Sequence, residues 1–251
     1  MEYIDFHTHL SSYKDYESLI RQLCGFEGII VSAAVDYDSY IKTVRLKEKI
    51  EKLNKKCMIV PTIGIHPSKV KAEKNKLSIY KDVLNDSSII GEIGMDFCWY
   101  KDASSLEQEN IFRFFLEHCN DKKKYCVIHT KDAEEKICRI LEEYPDAKPI
   151  IHWYDGPTDI YQEFIKRNYM QTFGCETIRS SHIQNLLKIT PENLILAETD
   201  NPSSEKWLGG SDDSIYLIKR IYDDLAEILK KEKNEITHII NKNSKLILGI
   251  K

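Results

Sequence analysis

Short apolar runs alternate with longer amphipathic segments along the whole chain, and this alternation limits the possible folds more than any other feature of the sequence. The apolar runs are rich in β-branched residues and predict strands, whereas apolar residues at three- and four-residue spacing predict helices, as in Leu106–Cys119 and Ser214–Glu232. The eight predicted strands are Tyr3–Thr8, Gly28–Ala34, Met58–Ile65, Ile89–Gly94, Cys126–His129, Pro149–His152, Tyr169–Phe173 and Leu194–Glu198.

Strands that alternate with helices form parallel βα units, and eight such units predict an α/β fold, a (β/α)8 TIM-type barrel. The 251 residues fit one barrel domain spanning 1–251. A doubly wound open sheet is the competing fold. It usually carries a glycine-rich phosphate loop after the first strand, and His-Thr-His stands there instead. The segment Asn201–Ser214, with Pro, Ser and two Gly, predicts a long loop.

The amino-acid composition limits which kinds of partner the protein is expected to bind. Apolar residues make up 42% of the chain, enough for a substantial core, and the net charge of -4 offers no basic surface for wrapping duplex nucleic acid. The seven cysteines form no CxxC pair, which is typical of a reducing, cytoplasmic setting. Neither a signal-peptide core nor an apolar run of about 18 residues is present, so no membrane partner is predicted.

Two histidines, His7 and His9, end the first predicted strand. Side chains two positions apart on a strand point to the same face, so both imidazoles would reach one ion. Imidazole is a ligand for Zn, Mn, Fe and Ni, and the pair therefore does not name the metal. Taken alone, it is equally compatible with an exposed strand end.

Four further ionisable side chains lie at the carboxyl ends of other predicted strands: Glu92, His129, His152 and Asp200. In a barrel all these ends converge on the face that carries the active site. Buried strand ends avoid such residues unless they are paired or bind metal. Six ligands exceed the need of one ion, so we expect two divalent ions (Mg²⁺, Mn²⁺ or Zn²⁺). Glu92 is the predicted bridge, because its strand lies between the first strand and those of His129 and His152.

Over essentially its whole length the sequence resembles the TatD family of metal-dependent DNases, within the amidohydrolase superfamily. The matching segments, in order, are Ile-Asp-Phe-His-Thr-His-Leu (4–10), Gly-Ile-His-Pro (64–67), Gly-Glu-Ile-Gly-Met-Asp-Phe (91–97), the helix start Gln108…Phe112, Val-Ile-His-Thr-Lys-Asp-Ala (127–133), His-Trp-Tyr-Asp-Gly (152–156) and Glu-Thr-Asp-Asn-Pro (198–202).

The resemblance implies a role for each ligand. The first metal would be held by His7, His9, Glu92 and Asp200, and the second by Glu92, His129 and His152. Asp200 would also face the water that attacks the substrate. Asp200 and Glu92 are therefore the predicted catalytic residues.

The sequence departs from the family pattern at three places. Ser11 stands where the family usually has Asp, and Lys131 where it usually has Arg. The common His-Cys-Phe-Ser/Thr-Gly motif is His-Trp-Tyr-Asp-Gly here, similar to TatD-like nucleases of anti-phage defence islands. None of these changes removes a ligand. The last two lie where substrate would be touched, and they leave its identity open.

Four residues are candidate substrate contacts. His66 would donate a hydrogen bond to phosphate, or fix the turn before Pro67. Lys131 would offer a point charge where Arg offers a planar fork, or be a surface lysine. Trp99 and Tyr100 would stack on a base, or cap the barrel mouth. In addition, Asp96 and Glu198 are candidates to orient the ligands, whereas we expect Trp153 to pack.

These features predict a phosphodiester hydrolase, a 3′→5′ exonuclease-type DNase acting on DNA ends or single strands. One alternative is another hydrolase on the same barrel, such as a D-aminoacyl-tRNA deacylase. Glu92 stands where amidohydrolases usually carry a carbamylated lysine, which speaks against a typical C–N hydrolase. A second alternative is a subunit of a larger complex, either without activity or as the nuclease of a defence assembly. The six retained ligands argue against an inactive subunit.

Overall fold

A computed structural model describes residues 2–202, 204–211 and 213–250 of the chain. The strands are β1 (Tyr3–Thr8), β2 (Gly28–Ser32), β3 (Cys57–Pro61), β4 (Ile89–Asp96), β5 (Tyr125–Lys131), β6 (Lys148–His152), β7 (Met170–Phe173) and β8 (Ile195–Ala197). The helices are α1 (Tyr16–Gly25), α2 (Tyr37–Leu53), α3 (Val70–Glu73), α4 (Leu77–Leu84), α5 (Ser105–Lys122), α6 (Glu134–Leu141), α7 (Thr158–Lys166), α8 (Ser181–Ile189), α9 (Ser204–Trp207), α10 (Leu217–Leu229) and α11 (Lys233–Leu248).

Every predicted strand is present; β1 has the predicted bounds, and the other seven strands have shifted ends. The strands β4 and β5 run two residues further than predicted, whereas β8 is shorter. Glu92 lies inside β4, and Asp200 lies beyond β8. The strand pairs β1–β2, β4–β5, β5–β6 and β6–β7 are parallel. Strand order is β1-β2-β3 in one sheet and β4-β5-β6-β7-β8 in the other.

Two helix ends are set by capping features that the spacing of apolar residues does not reveal. Helix α5 begins one residue earlier than predicted, because Ser104 and Glu107 form a capping box that satisfies the first backbone N–H groups. Helix α10 ends where Lys230 adopts a left-handed conformation, with φ of 54°. The predicted loop Asn201–Ser214 was wrong in part, since it contains α9; its residues Ser203 and Asp212 lie outside the described part of the chain.

Contacts divide the chain into two compact units, residues 1–32, 42–60 and 172–251 in the first and residues 33–41 and 61–171 in the second. The first packs apolar side chains of β1 against α10, and the Tyr222 hydroxyl binds both backbone polar groups of Ile4. The second has Tyr80, Phe112 and Phe115 fully buried. One domain over residues 1–251 stays a prediction. Among the described residues, no helix is both long and apolar enough to cross a membrane.

Backbone hydrogen bonds fix the segment after β8 alongside β1. The Asp200 N–H donates to the His7 carbonyl at 2.9 Å, and the His9 N–H donates to the Asn201 carbonyl at 2.8 Å. The buried Asp5 carboxylate accepts from both the N–H and the hydroxyl of Thr199. Residues almost 200 positions apart in sequence are thereby held in register within the first unit.

Gly94 determines how closely β5 approaches β4. It pairs with His129, its φ is 141°, and a Cβ at this position would lie 2.1 Å from the His129 carbonyl oxygen. Only glycine adopts this φ readily and leaves room for the neighbouring backbone. The residue therefore allows His129 to lie beside the strand that carries Glu92.

We predict that Gly94→Ala lowers the free energy of unfolding by at least about 2 kcal/mol, because the methyl group collides with backbone that cannot move cheaply. Denaturant unfolding of both proteins measures the difference. Gly209→Ala is the matched control, since Gly209 also has positive φ but nothing lies within 4 Å of its added Cβ. Equal losses from the two substitutions would show that the close approach of β5 is unimportant.

Candidate metal-binding site

The first unit brings together His7, His9 and Asp200, hereafter the His7 cluster. The Nε2 atoms of the two imidazoles are 3.3 Å apart, and they lie 3.4 and 3.1 Å from Asp200 Oδ1. His7 is fully buried, and Asp200 is nearly so. Three potential ligand atoms thus lie close together, as the spacing of the two histidines predicts, although His9 lies one residue past the end of β1.

The backbone at Asp200 directs its carboxylate to the two imidazoles. Its φ of 51° lies in the left-handed region, which is uncommon for a residue with a side chain. Such strain persists only where the surrounding structure holds it, and it is concentrated at functional sites. Here the hydrogen bonds from Asp200 and His9 to the opposite backbone hold it.

The second unit gathers three imidazoles around one carboxylate, hereafter the Glu92 cluster. Glu92 Oε1 lies 3.0 Å from His129 Nδ1, 3.6 Å from His66 Nε2 and 3.8 Å from His152 Nε2. Glu92 is 1% exposed. His66 was expected either to contact phosphate or to fix the turn before Pro67. Its Nδ1 accepts the Ser68 N–H in that turn, while its Nε2 is directed at Glu92, and it forms a candidate metal group with Glu92 and His129.

Asp96 orients His129 from the opposite side of the ring. Its Oδ2 lies 3.0 Å from His129 Nε2, and its Oδ1 accepts backbone N–H groups of Cys98 and Trp99. Burial opposes ionisation of Asp96, but the hydrogen bonds outweigh it and lower the pKa of that carboxyl. The ionised carboxylate favours a proton on Nε2, so Nδ1, which lies beside Glu92, is the atom that would bind a metal ion.

The charge balance in the Glu92 cluster favours a cation. Burial would lower the pKa of His129, yet hydrogen bonds to Asp96 and Glu92 raise it to about 9. The carboxylates of Asp96 and Glu92 therefore stabilise positive charge at the His129 ring, either as a proton or as a bound metal ion. Imidazole with carboxylate is a common ligand set for divalent transition metals, so both clusters fit such an ion.

Three predicted substrate contacts lie beside the Glu92 cluster, Lys131 at the end of β5 and Trp99 and Tyr100 on the loop after β4. Lys131 Nζ is 2.6 Å from Asp155 Oδ2 and 5.0 Å from the centre of the Trp99 ring. The Tyr100 ring packs edge-on against His66, with centroids 5.1 Å apart. The Trp153 ring lies 6.4 Å from that of His152.

The structure gives contacts to two side chains, Gln108 and Asp155, for which the sequence predicted no role. The Gln108 side chain binds both backbone polar groups of Asp96 and the carbonyl of Tyr100, and so fixes the loop after β4. Asp155 pairs with Lys131, and the only available signal was that each departs from the family pattern.

Glu198 is fully buried beside Glu176, whose pKa is raised to about 8 by burial and by the Glu198 charge.

Comparison with known proteins decides the family. The model of the family described as TatD related DNase matches residues 4–249. The chain belongs to this TatD-related DNase family. An uncharacterized metal-dependent hydrolase of Methanocaldococcus jannaschii is 27% identical, over 97% of this chain and 96% of that protein. Human deoxyribonuclease TATDN3 is 22% identical, over 80% of this chain and 78% of that protein.

Solved structures of the TatD family have the same fold. A TatD family hydrolase from Entamoeba histolytica superposes with a TM-score of 0.82 at 18% identity, covering 98% of both chains. The TatD homologue YJJV from Escherichia coli also gives 0.82 at 18% identity, covering 99% of this chain and 98% of that one. The predicted (β/α)8 barrel is confirmed, and the chain is a metal-dependent hydrolase of the TatD family.

We predict that Asp96→Asn weakens the affinity of the Glu92 cluster for Mn²⁺ or Zn²⁺ by about 10- to 100-fold, because the amide no longer fixes the tautomer of His129. Competition with a chromophoric chelator measures the affinity. Asp102→Asn makes the same chemical change at an exposed position of the same loop and should have no effect. Unchanged affinity in Asp96→Asn would mean that this carboxylate does not orient the ligand.

Proposed function

We propose that the protein is a two-ion phosphodiesterase that removes nucleotides from DNA ends or single strands, with 3′→5′ polarity. The observation that supports this most strongly is the presence of two clusters of largely buried imidazoles and carboxylates, one in each unit. Relatives named deoxyribonucleases suggest nucleic acid as the substrate. Cytoplasmic location, expected from the unpaired cysteines, stays a prediction.

The residues have distinct roles in this proposal. We assign His7, His9 and Asp200 to one ion, His129 and His152 to the other, and Glu92 to both, as the family resemblance implies. Two divalent ions held by these residues would supply the Lewis acidity that promotes loss of a proton from water and stabilises charge on the leaving oxygen. Asp200 accepts the proton of the attacking water, and Asp96 keeps His129 in its binding tautomer.

The substrate is proposed to lie across the loops after β4 and β5. Lys131 contacts a backbone phosphate, and Trp99, which is 53% exposed, offers a ring face for an unpaired base. His66 either donates to phosphate or, given its distance from Glu92, serves as an additional ligand. Tyr100 supports the His66 ring.

We predict that Glu92→Gln lowers kcat/KM for a labelled oligonucleotide by more than about a hundredfold, since a neutral amide replaces the shared charged ligand. Lys131→Ala should cost roughly tenfold, the effect of one charged hydrogen bond, and His66→Ala should also cost less than Glu92→Gln. Elemental analysis should give about two equivalents of metal in the wild type and fewer in Glu92→Gln. Equal kinetic losses from the three substitutions would show that Glu92 is not the shared ligand.

We also predict that single-stranded ends are cut faster than blunt duplex ends, and that closed-circular DNA resists cutting. With a net charge of -4 the protein neutralises few phosphates. Binding should therefore weaken by only about tenfold between roughly 50 and 200 mM salt. Digestion of strands labelled at either end, with Mg²⁺, Mn²⁺ or Zn²⁺, measures rate, polarity and metal preference.

Two outcomes would contradict this proposal. Efficient cutting of closed circles with a steep salt dependence would indicate an internal, groove-binding endonuclease. Hydrolysis of an aminoacyl ester, such as D-aminoacyl-tRNA, without phosphodiester cleavage would favour the deacylase alternative.

A further inference from the structure

Lys131 is held by side chains from the loops on either side of its strand. Trp99 follows β4, Lys131 is the last residue of β5, and Asp155 follows β6. The Lys131 ammonium lies 2.6 Å from the Asp155 carboxylate and 5.0 Å from the centre of the Trp99 indole. The three residues form a continuous acid–base–aromatic group within the second unit, hereafter the Lys131 triad.

The carboxylate of the Lys131 triad opposes the binding of a phosphate to Lys131. The ammonium already has a carboxylate partner at 2.6 Å, and an incoming phosphate must compete with that carboxylate for it. Burial raises the pKa of the nearby Cys98 thiol. The carboxylates of Asp132 and Asp96 raise it further, whereas Lys131 lowers it.

Exchange of the Lys131 partner is physically accessible. The Lys131 side chain is 19% exposed and that of Asp155 is 36% exposed, so water can solvate the carboxylate when it is displaced. Pairs with this exposure contribute little to stability, because solvent screens them. Asp155 is therefore a poor structural support for the fold and an effective competitor for the ammonium.

We propose that Asp155 is a specificity-determining residue that competes with the substrate's phosphate for Lys131. The inference rests on the proposed function, because it takes the ligand to be a phosphodiester strand whose base lies on Trp99. Asp155 thereby weakens the hold on a strand with phosphate at this position and favours release after each cleavage. Lys131 mediates the whole effect.

The test measures binding of fluorescein-labelled oligothymidylate to the full chain in EDTA, where hydrolysis does not interfere. Asp155→Asn should tighten binding about two- to fivefold, the range for removal of one partly exposed charge. Lys131→Gln should weaken it, and the double variant should bind like Lys131→Gln alone. With metal added, the KM of Asp155→Asn should fall by more than kcat changes.

Asp146→Asn is the matched control. Asp146 forms an exposed pair with Lys123 at 3.4 Å, ahead of β6, and its substitution removes the same single negative charge. Binding by this variant should equal that of the wild type. Asp155→Ser provides a second test of the same carboxylate, and thermal unfolding of each variant checks that the fold is intact.

The proposal is overturned if Asp155→Asn and Asp155→Ser bind no tighter than wild type, or if their effect persists in the presence of Lys131→Gln. An equal gain in Asp146→Asn would also overturn it, since net charge would then explain the result. Absence of oligonucleotide binding by every variant rejects the Lys131 contact. Intact binding without hydrolysis by the metal-loaded wild type rejects the proposed function and leaves the role of Asp155 standing.

Discussion

Glu92 is almost completely buried, and its Oε1 atom lies within 3.8 Å of three imidazole nitrogens. A carboxylate removed from water in this way is costly unless positive charge lies beside it. The imidazoles supply that charge by binding either protons or a cation. Neighbouring features serve this requirement: Gly94 brings the His129 strand close, and Asp96 fixes which nitrogen of that ring faces Glu92.

The His7 cluster meets the same requirement by a different route. Its carboxylate follows a short strand, and its position is set by hydrogen bonds to β1 rather than by strand pairing. The same strand buries a second carboxylate, that of Asp5, two residues before His7. Burial is the largest effect there and raises the pKa of Asp5 to about 7, although Thr199 and the His7 N–H donate to the carboxylate. Ligand geometry and a buried acid are thus parts of one network.

The sequence was sufficient for the eight strands because each is a local signal, a short apolar run bounded by polar residues. The convergence of His7 with His9 was expected from strand alternation, but His9 lies one residue past β1 and is also held by the hydrogen bond from its N–H to the Asn201 carbonyl. The direction of His66 and the pairing of Lys131 with Asp155 could not be predicted, because loop conformations set them and the partners are 24 or more residues apart. Helix α9 was missed since four residues carry no periodicity.

The anchoring of the loop after β4 has a consequence for recognition. Asp96 accepts the N–H groups of Cys98 and Trp99, and the Gln108 amide holds the carbonyl of Tyr100 from the first turns of α5. The loop is therefore ordered before any ligand arrives. If a base stacks on Trp99 as proposed, it meets a surface whose conformational entropy was lost during folding, so more of the stacking energy is available for affinity.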